Sequence, residues 1–197
     1  ETITNLFSYG ILNAHGGDLP RYRGNACQAW AILNGEKKIG LCIHKMIGGE
    51  LDNGDIITRD YLSIDYNTKV TKAWNWMQER IPILMLEAVK LLSDDPSYVL
   101  EHQSIDPADI LRCYPRFPDD GRINWKESSI NVLRLINASN KPYAGAYCNF
   151  EGEKIIIWDA ELVDDKENFN AIPGQVTFIG EEFLEVACGE GKIMIKD

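Results

Sequence analysis

The chain has 197 residues, 45% of them apolar, and a formal charge of −10; this fills one sizeable domain, or a medium and a small one, and leaves no low-complexity segment to explain. No apolar run approaches the roughly 18 residues of a membrane helix, and no signal peptide opens the chain, so a cytoplasmic protein without a membrane partner is expected. The charge is −4 over residues 1–113 (11 basic, 15 acidic) and −6 over residues 114–197 (9 basic, 15 acidic), so neither part has the basic footprint of a protein that neutralises many phosphates.

The opening residues read as the tail of a helix followed by a strand, YGILNAH. Asn13 and His15 stand two positions apart where that strand ends. On a strand, such residues share a face, so both side chains reach one reacting atom. A lone His usually has a structural hydrogen bond, but the sequel GGDLPRYRGN sharpens the signal. Gly16 and Gly17 admit close approach of another backbone or a ligand, and Arg21 and Arg23 carry guanidinium groups suited to phosphate or carboxylate.

ACQAWAILN (26–34) has apolar residues at helical spacing and stops at Gly35, a C′ glycine. GLCIHKMI (40–47) reads as a buried strand and DIITRDYLSI (55–64) as another. Between them GGELDNGDII presents Glu50, Asp52 and Asp55 on a loop. Clustered carboxylates form either a solvated turn or a metal site; with no His or further acid at ligand spacing, no metal is assigned.

A long helix is expected over residues 67–93, with apolar faces from Trp74, Met77, Ile81, Leu84, Leu86 and Leu91, kinked or divided at Pro82. Residues 94–120 contain Pro96, Pro107, Pro115 and Pro118 without periodicity and read as a linker. Beyond it, INWKESSINVLRLINASN holds a short helix. YAGAYCNF, KIIIWDAELV, GQVTFI, FLEVAC and KIMIK then follow as closely spaced strands, the pattern of a small antiparallel barrel. Cys27, Cys42, Cys113, Cys148 and Cys188 have no zinc-type spacing and read as buried free thiols of a reducing compartment.

NAH followed by LPRYRG, the helix AWAILNGE, the strand IGLCIHKM and the loop ELDNGD together resemble the folate-dependent formyltransferases, of the methionyl-tRNA and nucleotide-aminosugar type. The resemblance continues through YPRFPDDGRINW, KPYAGAY, KIIIWDAEL, IPGQV and VACGEGKI. It implies an α/β fold: residues 1–93 as the C-terminal part of a Rossmann-like catalytic domain that lacks its N-terminal part, then the linker, then residues 121–197 as an OB-like barrel. Gly16, Gly17 and Asp18 stand where relatives often have Pro-Ser-Leu.

The activity implied is transfer of a formyl group from 10-formyltetrahydrofolate to a primary amine, with Asn13, His15 and Asp52 as the catalytic trio and no metal. Asn13 and a protonated His15 would donate hydrogen bonds to the charge that develops on the formyl oxygen, and Asp52 would orient His15 and help relay a proton. Met46, Ile47, Gly48, Gly49 and Glu50 would border the pterin ring, and Arg21, Arg23 and Asn25 would face the acceptor. The acidic charge favours a nucleotide-linked amino sugar over initiator methionyl-tRNA as acceptor. A non-catalytic scaffold derived from the family is the alternative, and a homodimer is the assembly considered.

Overall fold

The computed structural model describes residues 3–7, 10–164 and 167–196. These divide into two compact units: the first comprises residues 1–31, 36–63 and 72–115, the second residues 32–35, 64–71 and 116–197. Part of the opening stretch read as a helix tail and strand, residues 1, 2, 8 and 9, lies outside the described residues; Thr4–Leu6 forms a single 3-10 turn.

The first unit is built on a three-stranded antiparallel sheet in the order β1-β3-β4, where β1 is Leu12–His15, β3 is Lys38–Lys45 and β4 is Ile56–Ser63. β2 (Arg23–Gly24) and α1 (Cys27–Leu33) connect β1 to β3. The run read from the sequence as a buried strand is one: Leu41, Cys42 and Ile43 are fully buried. Leu41, Ile43 and Ile57 pack against Met77, Leu84, Ala88 and Leu92 of α2 (Val70–Asp94), a stripe at helical spacing.

Pro82 neither divides α2 nor ends it; the helix runs unbroken through all 25 residues. The proline is exposed. Apolar side chains on both sides of it, Met77 and Ile81 before and Leu84, Met85 and Ala88 after, belong to one buried cluster. That shared burial, at about 1.5–3 kcal/mol per large side chain, outweighs the loss of one helical hydrogen bond at the proline.

Residues 94–115, read as linker, belong to the first unit. The Leu100 and Glu101 amides donate to the Ile56 carbonyl, and the Ile56 amide donates to Glu101. β5 (Arg112–Cys113) then lies parallel to β2. Prolines and the absence of periodicity mask this, because isolated bridges of two or three residues leave no repeat to detect.

In the second unit, α3 (Ser129–Ala138) begins at Ser128, whose hydroxyl accepts the Asn131 amide as an N-cap. β6 (Ala146–Phe150) and β7 (Glu153–Ile157) form an antiparallel pair. β8 (Ala160–Leu162), β9 (Val176–Ile179), β10 (Leu184–Ala187) and β11 (Lys192–Ile195) make an antiparallel sheet in the order β8-β11-β10-β9. Val132, Leu133 and Ile136 of α3 share a core with Ile123, Ala146, Ile157, Val186 and Ile193. The chain is thus α/β with an antiparallel C-terminal part; among the described residues its ladders divide between two sheets rather than running round one ring.

Among the described residues no helix is long and apolar enough to cross a membrane. All five cysteines are free; four are buried and Cys148 is half-buried.

Replacing exposed Pro82 restores a helical N–H without touching the core. Pro82→Ala is therefore expected to raise stability by roughly 1–3 kcal/mol, read as a higher denaturation midpoint; a lower midpoint would show that the proline is needed where it stands.

Candidate active site

The antiparallel register sets Asn13 of β1 opposite His44 of β3, and His15 opposite Cys42. Asn13, His15 and His44 therefore lie on one face of the sheet. His15 and His44 are 94% and 99% buried, with ring centroids 6.2 Å apart and nearly perpendicular. The loop after β3 carries Asp52 to the same place. Its backbone is left-handed, φ +47°, a conformation in which a residue other than glycine is strained.

Asp52 is the hub. Its Oδ2 accepts the Gly24 amide at 2.9 Å and lies 3.5 Å from His15 Nδ1. Its Oδ1 accepts the Asn13 amide at 3.4 Å and lies 3.6 Å from His44 Nε2. The structure thus brings together the three residues Asn13, His15 and Asp52 that the sequence put forward. It adds His44, which the sequence reading left inside a buried strand. A polar residue within the otherwise buried run GLCIHKMI was the available signal.

Hydrogen-bond chemistry fixes both imidazoles. His15 Nε2 is 2.7 Å from the Tyr22 carbonyl oxygen, which only accepts, so Nε2 carries a hydrogen; in the neutral ring the Nδ1 lone pair then faces Asp52. His44 Nδ1 is bound in the same way to the Lys45 carbonyl at 2.9 Å, leaving Nε2 to accept from Asn13 at 3.2 Å. The Cys27 thiol also donates to the Tyr22 carbonyl, at 2.9 Å.

Burial pushes the His15 imidazole below its ordinary value, although Asp52 and the Tyr22 carbonyl draw it upward. That direction favours the neutral ring, where the resemblance implies a protonated one. Burial alone would raise the Asp52 carboxyl, but the polar groups around it, the Gly24 amide among them, hold it below the usual carboxylate value. With His15 neutral, the pair is a carboxylate facing an imidazole lone pair, two acceptors with space for one proton between them.

Gly16 and Gly17 do admit a close approach, and the approaching groups belong to the chain itself. A Cβ on Gly17 would collide with the Tyr22 carbonyl oxygen and the His15 ring, and one on Gly16 with the Gln28 side chain.

The residues expected at the acceptor side diverge. Arg21 is exposed and pairs with Glu36 at 3.3 Å, and Asn25 is exposed. Arg23 instead points inward: the residue is 93% buried, and its Nη2 donates to Gln103 at 2.8 Å. Met46, Ile47, Gly49 and Glu50 lie on the exposed stretch before Asp52, with Gly48 partly covered. Among the described residues no group of three or more His, Cys, Asp or Glu is arranged to hold a metal ion.

Two family models match, described as "Formyl transferase" over residues 1–89 and "Formyl transferase, C-terminal domain" over residues 117–197. The methionyl-tRNA formyltransferases of Acetivibrio thermocellus and Clostridium tetani are similar over the whole chain, at 30% and 33% identity. The chain spans 61% of the length of each of these curated relatives. Among solved structures, the N-formyltransferase from Helicobacter canadensis, in complex with folinic acid and dTDP-3-aminofucose, has a similar fold. Its TM-score is 0.73 at 18% identity, covering 95% of this chain and 65% of that one. With the two matched domains in the order the sequence led one to expect, and a relative aligned along its full extent, the chain belongs to the formyl transferase family.

Proposed function

We propose that this chain carries the reacting centre of an enzyme that transfers a formyl group from 10-formyltetrahydrofolate to a primary amine. The convergence of Asn13, His15 and Asp52 on one partly buried face supports this most strongly. The folate, when bound, supplies a formyl carbon attached to nitrogen. The residues present suit such a donor: Met46, Ile47 and Leu51 are apolar yet 40–44% exposed, on the loop that leads into Asp52. They offer an apolar surface against which a flat ring can pack.

For the formyl carbon to part from the folate nitrogen, which takes up a proton as it leaves, and bond to the amine instead, the amine must give a proton up. Asp52 and the neutral His15 are placed to take it, because a proton entering the 3.5 Å gap between Oδ2 and Nδ1 converts two facing acceptors into a charge-assisted hydrogen bond. Tyr22 stabilises the other end of the resulting imidazolium through its carbonyl. Asn13 carries the amide that serves developing negative charge on the formyl oxygen; its hydrogens rest on His44 and Asp52 through long contacts of 3.2 and 3.4 Å, which cost little to give up.

For the acceptor, the charge of −6 over residues 114–197 favours a nucleotide-linked amino sugar, a small molecule that needs no extended basic surface. Initiator methionyl-tRNA is the second reading, favoured by the identity of 30–33% to methionyl-tRNA formyltransferases. Incubating the complete protein with 10-formyltetrahydrofolate and either amino-sugar nucleotides or charged tRNA, and following folate release and product mass, decides between them. Formylated tRNA with unchanged sugars would reverse the preference, and no product from either would remove the enzymatic reading.

Two outcomes test the roles. His15→Ala and Asp52→Asn in the complete protein should each lower turnover by about 10² or more, with circular dichroism unchanged; near-normal turnover in either variant defeats the assignment. The pH profile should follow the lowered His15 value. The unprotonated pair is the active form, so kcat/KM rises with pH through a midpoint below 6.5 and is level at neutral pH. A rate that increases as pH falls through this range contradicts a neutral His15.

A further inference from the structure

Gln103 lies between the two regions that the family models match, in the stretch the sequence presents as a linker. Its side chain is nine-tenths buried, and every polar atom of its amide is used. Nε2 donates to the Asp52 carbonyl at 2.8 Å and to the Gly54 carbonyl at 2.7 Å, while Oε1 accepts from Arg23 Nη2 at 2.8 Å. A guanidinium only donates, so Arg23 determines which end of the amide faces the loop. Both partners are anchored through backbone: the residues just before Gln103 bond to Ile56, and the Arg23 amide bonds to the Leu111 carbonyl.

The two carbonyls that Gln103 gathers flank a strained point. Asp52 holds φ +47°, and Gly54 is packed so tightly that a Cβ there would collide with the Lys45 carbonyl. Left-handed backbone at a residue other than glycine persists only where its surroundings enforce it. Two donated hydrogen bonds from one buried amide are such an enforcement. The carboxylate they aim is the one that accepts the Gly24 amide and faces His15.

We propose that Gln103 is a positioning residue for the formyl transfer: its amide clamps the Asp52–Gly54 backbone, with Arg23 orienting the clamp, so that the Asp52 carboxylate stays on His15. The kinetic consequence rests on the function proposed above; the clamp itself does not.

The test uses the complete protein as wild type, Gln103→Ala, Gln103→Glu and Asp52→Ala, and measures backbone hydrogen exchange by NMR. The Gly24 amide reports the carboxylate directly, because Asp52 Oδ2 is its acceptor. Gln103→Glu keeps the side chain's size and a partner for Arg23 but replaces the two donated hydrogens with an acceptor. In both Gln103 variants Gly24 exchange should accelerate about tenfold, approaching the rate in Asp52→Ala, while the amides of β3 keep their wild-type rates. Turnover should fall about tenfold with the acceptor KM unchanged, and Gln103→Ala should add nothing in an Asp52→Asn background. Wild-type protection of Gly24 in both Gln103 variants overturns the proposal. So does acceleration of Gly24 and β3 together, which marks general destabilisation, or multiplication of the two kinetic effects. If the wild-type protein transfers no formyl group, the functional reading fails and the exchange measurements alone decide whether Gln103 holds Asp52.

Discussion

A half-buried carboxylate placed among two imidazoles and an amide is the constraint around which the first unit is arranged. Burying Asp52 costs free energy unless its oxygens are satisfied. They are met by the Gly24 amide and the Asn13 side chain, with His15 and His44 close by. These partners come from three segments: Asn13 and His15 from β1, Gly24 from β2 and His44 from β3. Burial lowers the proton affinity of the His15 imidazole while the same carboxylate raises it, so a proton-accepting ring stands beside a negative charge that stabilises it once it takes a proton.

Carbonyl oxygens do much of the remaining work. The Tyr22 carbonyl selects the tautomer of His15, and the Lys45 carbonyl that of His44, so that one ring turns a lone pair to the carboxylate and the other to Asn13. These are backbone atoms. Their positions follow from the path of the chain, which is why Gly17 must be bare where the Tyr22 carbonyl and the His15 ring meet.

Much of this was legible before any coordinates. Two positions on one strand implied a common face for Asn13 and His15, and the loop motif supplied Asp52. The buried strands and helices were visible from their apolar spacing. Other features were not. Strand pairing brings His44 across from Asn13, and register is a property of two distant segments that neither discloses alone. Gln103 sits in a proline-containing stretch whose contacts are isolated bridges, and periodicity carries no information about those. Arg23 was expected to face the acceptor because a guanidinium suits phosphate or carboxylate; tertiary packing turns it onto Gln103. The lowered proton affinity of His15 was hidden for a related reason, since the desolvation behind it depends on how deeply the finished fold encloses the ring.

The pairing of Asn13 with His44 also limits how this region can be re-engineered. Side chains on β1 alternate between faces, so inserting or deleting a single residue there would present Leu12 and Ala14 to the carboxylate and send the amide and imidazole into the layer now filled by apolar groups. Loops from other relatives grafted between these strands would have to preserve the phase of β1 against β3, whatever their length.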